Sequence, residues 1–105
     1  MAEPTSTARI LAALAPLIEP DEMRMLGALD VLSPQERAVF TLLGHGQRTK
    51  QIAWELAISA KTVETHLVRI RGKLGEGGAQ PDLLQLGFLA RLWVRASAAA
   101  VSGTS

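Results

Sequence analysis

Between residues 60 and 75 the chain sets Lys61, Thr62, Glu64, Thr65, His66, Arg69, Arg71 and Lys73 among Val63, Leu67, Ile70 and Leu74. The apolar members recur at i, i+4, i+7 and i+11, which is one stripe of a helix. With that stripe turned inward, Lys61, Glu64, Thr65 and Val68 point away from it, and Thr62, His66, Arg69 and Lys73 lie along one flank. Outward donors, acceptors and an apolar contact, with cations beside them, suit a groove that has polar edges on its floor and anions on its walls. The same residues do not suit catalysis. No nucleophile–base set, metal-ligand cluster or phosphate-cradling loop is present in the sequence, and Gly77-Gly78 alone is a weak signal. His45 reads as a loop residue, and His66 also admits a structural reading.

The elements that would position this helix are legible on either side. Ile52, Leu56 and Ile58 supply a facing apolar surface over a helix from about Thr49 to Ala57, with Ala53 small enough for close approach. Ser59 stands just before the charged helix, about Ala60 to Leu74, where its hydroxyl caps exposed backbone N–H groups. The outline is a helix-turn-helix. Upstream, Leu32-Ser33-Pro34-Gln35-Glu36 is a helix start, with Ser33 as N-cap, Pro34 at the first helical position and Glu36 closing a capping box. Val39, Phe40, Leu42 and Leu43 give that helix its core side, and Gly44-His45-Gly46 ends it. Trp54 reads as a core or interface residue.

The ends of the chain are less regular. Residues 1–6 read as a frayed polar start. Thr7 to about Glu19 is an amphipathic helix with Ile10, Leu11, Leu14, Leu17 and Ile18 on one face, which Pro16 should kink or end early. A second short helix begins near Pro20, where Asp21 and Glu22 suit the positive dipole end, and offers Met23, Leu26 and Leu29. A loop from Gly75 leads to Pro81-Asp82 and a last helix to about Ala96. Its Leu83, Leu84, Leu86, Phe88, Leu89, Leu92 and Trp93 exceed one face, which implies a second surface to bury. Residues 97–105 are small and read as a disordered tail.

Composition bounds the answer. A chain of 105 residues, 48% apolar and without cysteine, folds as one small domain with neither disulfides nor thiolate metal sites. Ala and Leu dominate and no strand-like run appears, which favours an all-α fold. Net charge is +1, unevenly spread: residues 1–30 hold two arginines against five carboxylates, and the rest nine Lys and Arg against five. A basic body with an acidic lead fits a polyanionic partner. The apolar run Ile10–Ile18 falls short of the roughly 20 residues that span a bilayer and lacks a basic leader, so neither a membrane nor a signal peptide is expected.

Taken together, Leu32-Ser33-Pro34-Gln35-Glu36-Arg37, Gly46, Lys50-Gln51-Ile52-Ala53, Leu56, Ile58-Ser59, Lys61-Thr62-Val63, His66-Leu67, Ile70 and Lys73-Leu74-Gly75 resemble the LuxR-type (LuxR/FixJ/NarL) helix-turn-helix domain. The resemblance covers residues 31–75 and, more loosely, 81–95. It implies a compact helical DNA-binding domain of bacterial transcription regulators, whose third helix enters the major groove and whose last helix often forms the dimer contact. Three positions depart from the pattern. Arg48 replaces the usual Ser before the second helix, so Thr49 or another residue must supply the cap. Glu64 stands where a basic base-reading residue is common. Glu76-Gly77-Gly78-Ala79-Gln80 replaces the usual short link.

The expectation is therefore an all-α helical bundle with a LuxR-type helix-turn-helix and one or two extra N-terminal helices. Residues 1–30 form an arm, residues 31–96 the DNA-binding domain and residues 97–105 the tail. Lys61, Glu64, Thr65 and Val68 read bases; Thr49, Lys50, Thr62, His66, Arg69, Arg71 and Lys73 hold phosphates. Leu83, Leu86, Leu89, Leu92 and Trp93, with Ile10, Leu14 and Leu17, form a dimer or partner interface. The expected partner is double-stranded DNA, bound by a cytoplasmic homodimer without a cofactor. The alternative is an interaction module that binds another regulator, a sigma factor or RNA polymerase. The initial methionine and the patterned first helix favour a stand-alone regulator over an excised domain.

Overall fold

The computed structural model describes residues 7–102 as six α-helices: α1 Thr7–Leu14, α2 Pro20–Gly27, α3 Pro34–Gly44, α4 Thr49–Leu56, α5 Ala60–Leu74 and α6 Leu83–Ser102. Short 3-10 turns at Ala15–Leu17 and Ala28–Val31 follow α1 and α2. The frayed start expected at residues 1–6, like residues 103–105 of the expected tail, lies outside the described residues.

Each boundary has a local cause. Pro16, whose ring cannot continue the ladder, ends α1 at Leu14 and leaves a 3-10 turn behind it. Ser33 Oγ accepts the Glu36 N–H at 3.1 Å and Glu36 Oε1 accepts the Ser33 N–H at 2.9 Å, the reciprocal capping box expected for α3. Asp82 caps α6, its Oδ1 accepting the Gln85 N–H at 2.8 Å. The expected tail is not the end of α6: the helix runs on from Ala96 to Ser102. Four alanines in that stretch (96, 98, 99 and 100) cost nothing in side-chain entropy, and no Gly or Pro interrupts them before Gly103.

One core joins all six helices. It takes Ile10 and Leu14 from α1, Met25 and Leu26 from α2, Phe40 from α3, Ile52 from α4, Val63, Leu67, Ile70 and Leu74 from α5, and Leu86, Leu89, Ala90 and Trp93 from α6. The α3–α6 pair is the most extensive helix contact, α4 packs on α5, and α1 lies against α6. Five residues expected at an interface are thereby interior: Leu86, Leu89 and Trp93, with Ile10 and Leu14. The apolar excess of α6 is met largely within the chain, because α1 folds back onto it. Leu17, expected at the same interface, is 68% exposed, because the switch to 3-10 winding beyond Leu14 rotates it outward.

The α3–α6 crossing depends on Gly44. A Cβ there would run into the Ala90 carbonyl and the Val94 side chain. Gly44→Ala should therefore lower the unfolding free energy by about 1–3 kcal/mol, measured by urea denaturation. An unchanged midpoint would mean that the helices cross less closely than described.

Candidate nucleic-acid interface

The turn between α4 and α5 is built from backbone geometry. Arg48 is the N-cap of α4, and its N–H donates to Gln51 Oε1 at 2.9 Å. Of the two expected sources, Thr49 or another residue, the cap comes from the second: Gln51 reaches back, and Thr49 is the first residue inside the helix. Ala57 closes α4 in the left-handed region at φ 58°, ψ 42°, with its N–H on Trp54 O and the Ile58 N–H on Ala53 O at 3.0 Å. A non-glycine residue there carries backbone strain of about 1–2 kcal/mol. Ser59 then caps α5, its Oγ accepting the Thr62 N–H at 3.0 Å and contacting Thr62 Oγ1 at 2.9 Å.

The far end of α5 is held by three side chains. Lys73 Nζ meets Glu36 Oε1 at 2.7 Å and donates to Val31 O at 3.4 Å. Arg71 Nε donates to Pro81 O at 2.8 Å, tying the helix to the approach to α6. From α2, Arg24 donates to Leu74 O at 3.4 Å and Glu76 O at 2.9 Å while pairing with Asp21 at 2.7 Å. The last carbonyl of α5, at Leu74, and the Glu76 carbonyl just beyond the helix are thus met by a guanidinium from α2. Arg71 and Lys73, both expected to hold phosphates, are thus engaged with partners inside the chain.

What remains on the outer face is uncommitted. Lys61, Glu64, Thr65, Val68 and Arg69 are exposed, and none has an ion pair among the described residues. The Thr65 hydroxyl donates to Lys61 O at 3.1 Å, which leaves its lone pairs and methyl group outward. Val68 is 61% exposed, a large apolar group that the fold leaves in solvent. Of the flank, Thr62 and His66 are half-buried, and His66 Nδ1 is enclosed without a hydrogen-bond partner, so one ring nitrogen faces the interior. On α4, Thr49 is half-buried and Lys50 exposed.

Trp54, expected in the core or at an interface, stands 85% exposed on α4 and so is not core, because Ile52, Ala53 and Leu56 occupy the buried side and position 54 faces away from it. Gly72 was not singled out. It continues the outward stripe of Lys61, Thr65 and Val68, and a Cβ there would meet nothing. A mid-helix glycine costs about 1 kcal/mol against alanine, and no internal contact calls for this one. Its spacing from Val68, one turn on, was the available signal.

Burial alone would push the Glu36 carboxyl up, but the Lys73 ammonium and the Ser33 N–H and hydroxyl outweigh it and hold the group below its ordinary value. Ionised Glu36 therefore stabilises the fold above the ordinary carboxylate range, and that contribution is lost as pH falls through the lower folded value. Glu36→Gln should cost about 1–3 kcal/mol at neutral pH. In urea unfolding, the gap to the parent chain should close as pH drops below about 4.

No helix among the described residues is long and apolar enough to cross a membrane, and no metal-ligating cluster occurs among them. Residues 30–80, which hold α3 to α5, match the family model for bacterial regulatory proteins of the luxR family. The chain is 45% identical over 62 residues to the spore germination protein GerE of Bacillus subtilis, spanning 56% of this chain and 84% of that protein. It is 43% identical over 54 residues to the probable HTH-type transcriptional regulator GfsR of Streptomyces halstedii, spanning 51% of this chain but 22% of that one. No solved structure matches the chain significantly. With its capped helix-turn-helix and its coverage of most of GerE, the chain belongs to the LuxR family of bacterial helix-turn-helix regulators, a family of DNA-binding proteins rather than enzymes.

Proposed function

We propose that the chain is a sequence-specific transcription regulator that acts as a homodimer in the bacterial cytoplasm and lays α5 in the major groove of its operator. The observation that carries this reading is the exposed, unpaired stripe of Lys61, Glu64, Thr65 and Val68 on a helix clamped at both ends. Glu64 accepts from a cytosine amino group, and Val68 and the Thr65 methyl meet thymine methyls. Gly72 lets a phosphate or sugar come close to the helix backbone. Arg69 and Lys50, with Thr62, Thr49 and the outer edge of His66, hold phosphates. Lys73 and Arg71 act indirectly, by setting the angle of α5. Residues 31–96 do the reading, and residues 1–30 form an arm built into the same core.

A surface for the second copy remains on α6. Leu84 is 86% and Phe88 50% exposed, with Leu83 beside them. Gly87 and Arg91 complete an outward stripe, and a Cβ at Gly87 would meet nothing within the chain. That stripe, opposite the buried Leu86, Leu89 and Trp93, suits an antiparallel or crossed copy of itself. Two such subunits place their recognition helices one helical turn apart on DNA, about 34–36 Å. The second reading is an interaction module for another regulator, a sigma factor or RNA polymerase. The same α6 stripe and the exposed Trp54 support it, since clustered apolar groups in solvent mark protein contacts.

Selection from a random duplex pool should enrich an inverted repeat. Thr65→Ala and Val68→Ala should each reduce discrimination at one or two base pairs by about 1–3 kcal/mol with little loss of non-specific binding. Arg69→Ala should flatten the slope of log K against log salt by about 0.9. Leu84→Glu with Phe88→Glu should give a folded monomer in sedimentation and leave half-site recognition only. A pool with no enriched sequence would favour the interaction module.

A further inference from the structure

The groove between α1 and the C-terminal half of α6 has no part in the reading above. It encloses about 620 Å3, inside the range of about 300–1,000 Å3 typical of small-molecule sites. Ala13 and Leu17 form one wall, Leu92 and Ala96 the other, and Arg9 and Arg95 line it too, one from each helix. Its origin is the packing itself. Ile10 and Leu14 seat α1 on α6, but past Leu92 the apolar groups that α6 contributes to the lining are alanines, too short to fill the space between the helices.

The charge at this groove is unbalanced. Neither Arg9 nor Arg95 pairs with a carboxylate among the described residues, whose ion pairs are Arg24–Asp21, Arg37–Asp30 and Lys73–Glu36. From Thr7 to Leu14 and from Leu83 to Ser102 the helices contain no acidic residue at all. Two cations flanking an apolar slot with no counter-charge on either wall complement a ligand with an apolar body and one anionic end. Guanidinium is also the cation whose planar fork matches a carboxylate in two parallel hydrogen bonds.

We propose that this groove binds an apolar monocarboxylic acid, a medium-chain or aryl carboxylate. Its hydrocarbon lies along Ala13, Leu17, Leu92 and Ala96, and its carboxylate sits between Arg9 and Arg95. The ligand covers the side of Leu17 that the fold leaves in solvent. It also bridges α1 to α6, and so ties the N-terminal arm to the helix that carries the outward stripe.

Titration of the full chain with decanoate, decanol and decylamine, below their micellar concentrations and followed by calorimetry, tests the site. Decanoate should bind at one molecule per chain and saturate. Decanol and decylamine should bind at least about tenfold more weakly, and octanoate about tenfold more weakly than decanoate, as two methylenes leave the groove. Arg9→Ala and Arg95→Ala should each weaken decanoate about tenfold while leaving decanol unchanged. Ala99→Trp, which plugs the groove from an exposed position, should abolish binding without lowering the Tm. Several failures would each overturn the proposal: equal affinity for decanol and decanoate, unsaturable uptake, binding that survives Ala99→Trp, or no binding to the full chain. In the last case, capture of an acidic amphipathic peptide in the same titration would assign the groove to a protein partner.

Discussion

The helix α5 is held at the angle it takes by a carboxylate buried at the start of another helix. Glu36 is 3% exposed, a position that costs free energy for any ionised group left unpaired. Its Oε1 is approached from two directions, by the Ser33 N–H in the cap of its own helix and by Lys73 in the last turn of α5. The cap fixes where that oxygen sits and the apolar stripe of α5 fixes the helix rotation, so the pair ties α5 to α3 in the arrangement seen. A pair of this kind adds little net stability, but breaking it leaves a buried charge, which makes misplacement of α5 expensive. Everything on the outer face of α5 inherits its direction from that constraint.

The N-terminal arm extends the same arrangement. Arg24 reaches the open carbonyl end of α5, and α1 covers the inner stripe of α6. The first two helices are therefore structural in two places at once, at the end of α5 and along α6. This links the outward surfaces. A change in how α1 sits on α6 bears on the α6 stripe proposed for dimerisation, and a change at Arg24 bears on the cap of α5.

How much of this could be read from the chain differs by the range of the interaction. The Ser33–Glu36 capping box, the Ser59 cap, the stop at Pro16 and the Val63–Leu67–Ile70–Leu74 stripe are local, set by spacings of three or four residues, and all appear in the structure. Partners distant in sequence were not legible. Lys73 lies 37 residues from Glu36 and Arg24 lies 52 from Glu76, so cations on a helix flank looked free when the fold had committed them. Over-apolar helices misled for a related reason: α6 carries an inner and an outer stripe, and the chain alone does not say which is covered by α1. Trp54 was readable after all, since two residues from Ile52 and two from Leu56 is the far side of a helix. Its size fitted either a core or an interface, and its position excludes the core.

The central claim is that the outward stripe of α5 touches DNA while Arg71, Lys73 and Arg24 hold it from behind. Amide chemical-shift mapping during titration with the selected operator duplex tests it directly. The account predicts large shifts from Lys61 to Arg69 and around Lys50, with Arg24, Arg71 and α1 little changed. Shifts concentrated on α6 and Trp54, with residues 61–69 silent, would contradict it.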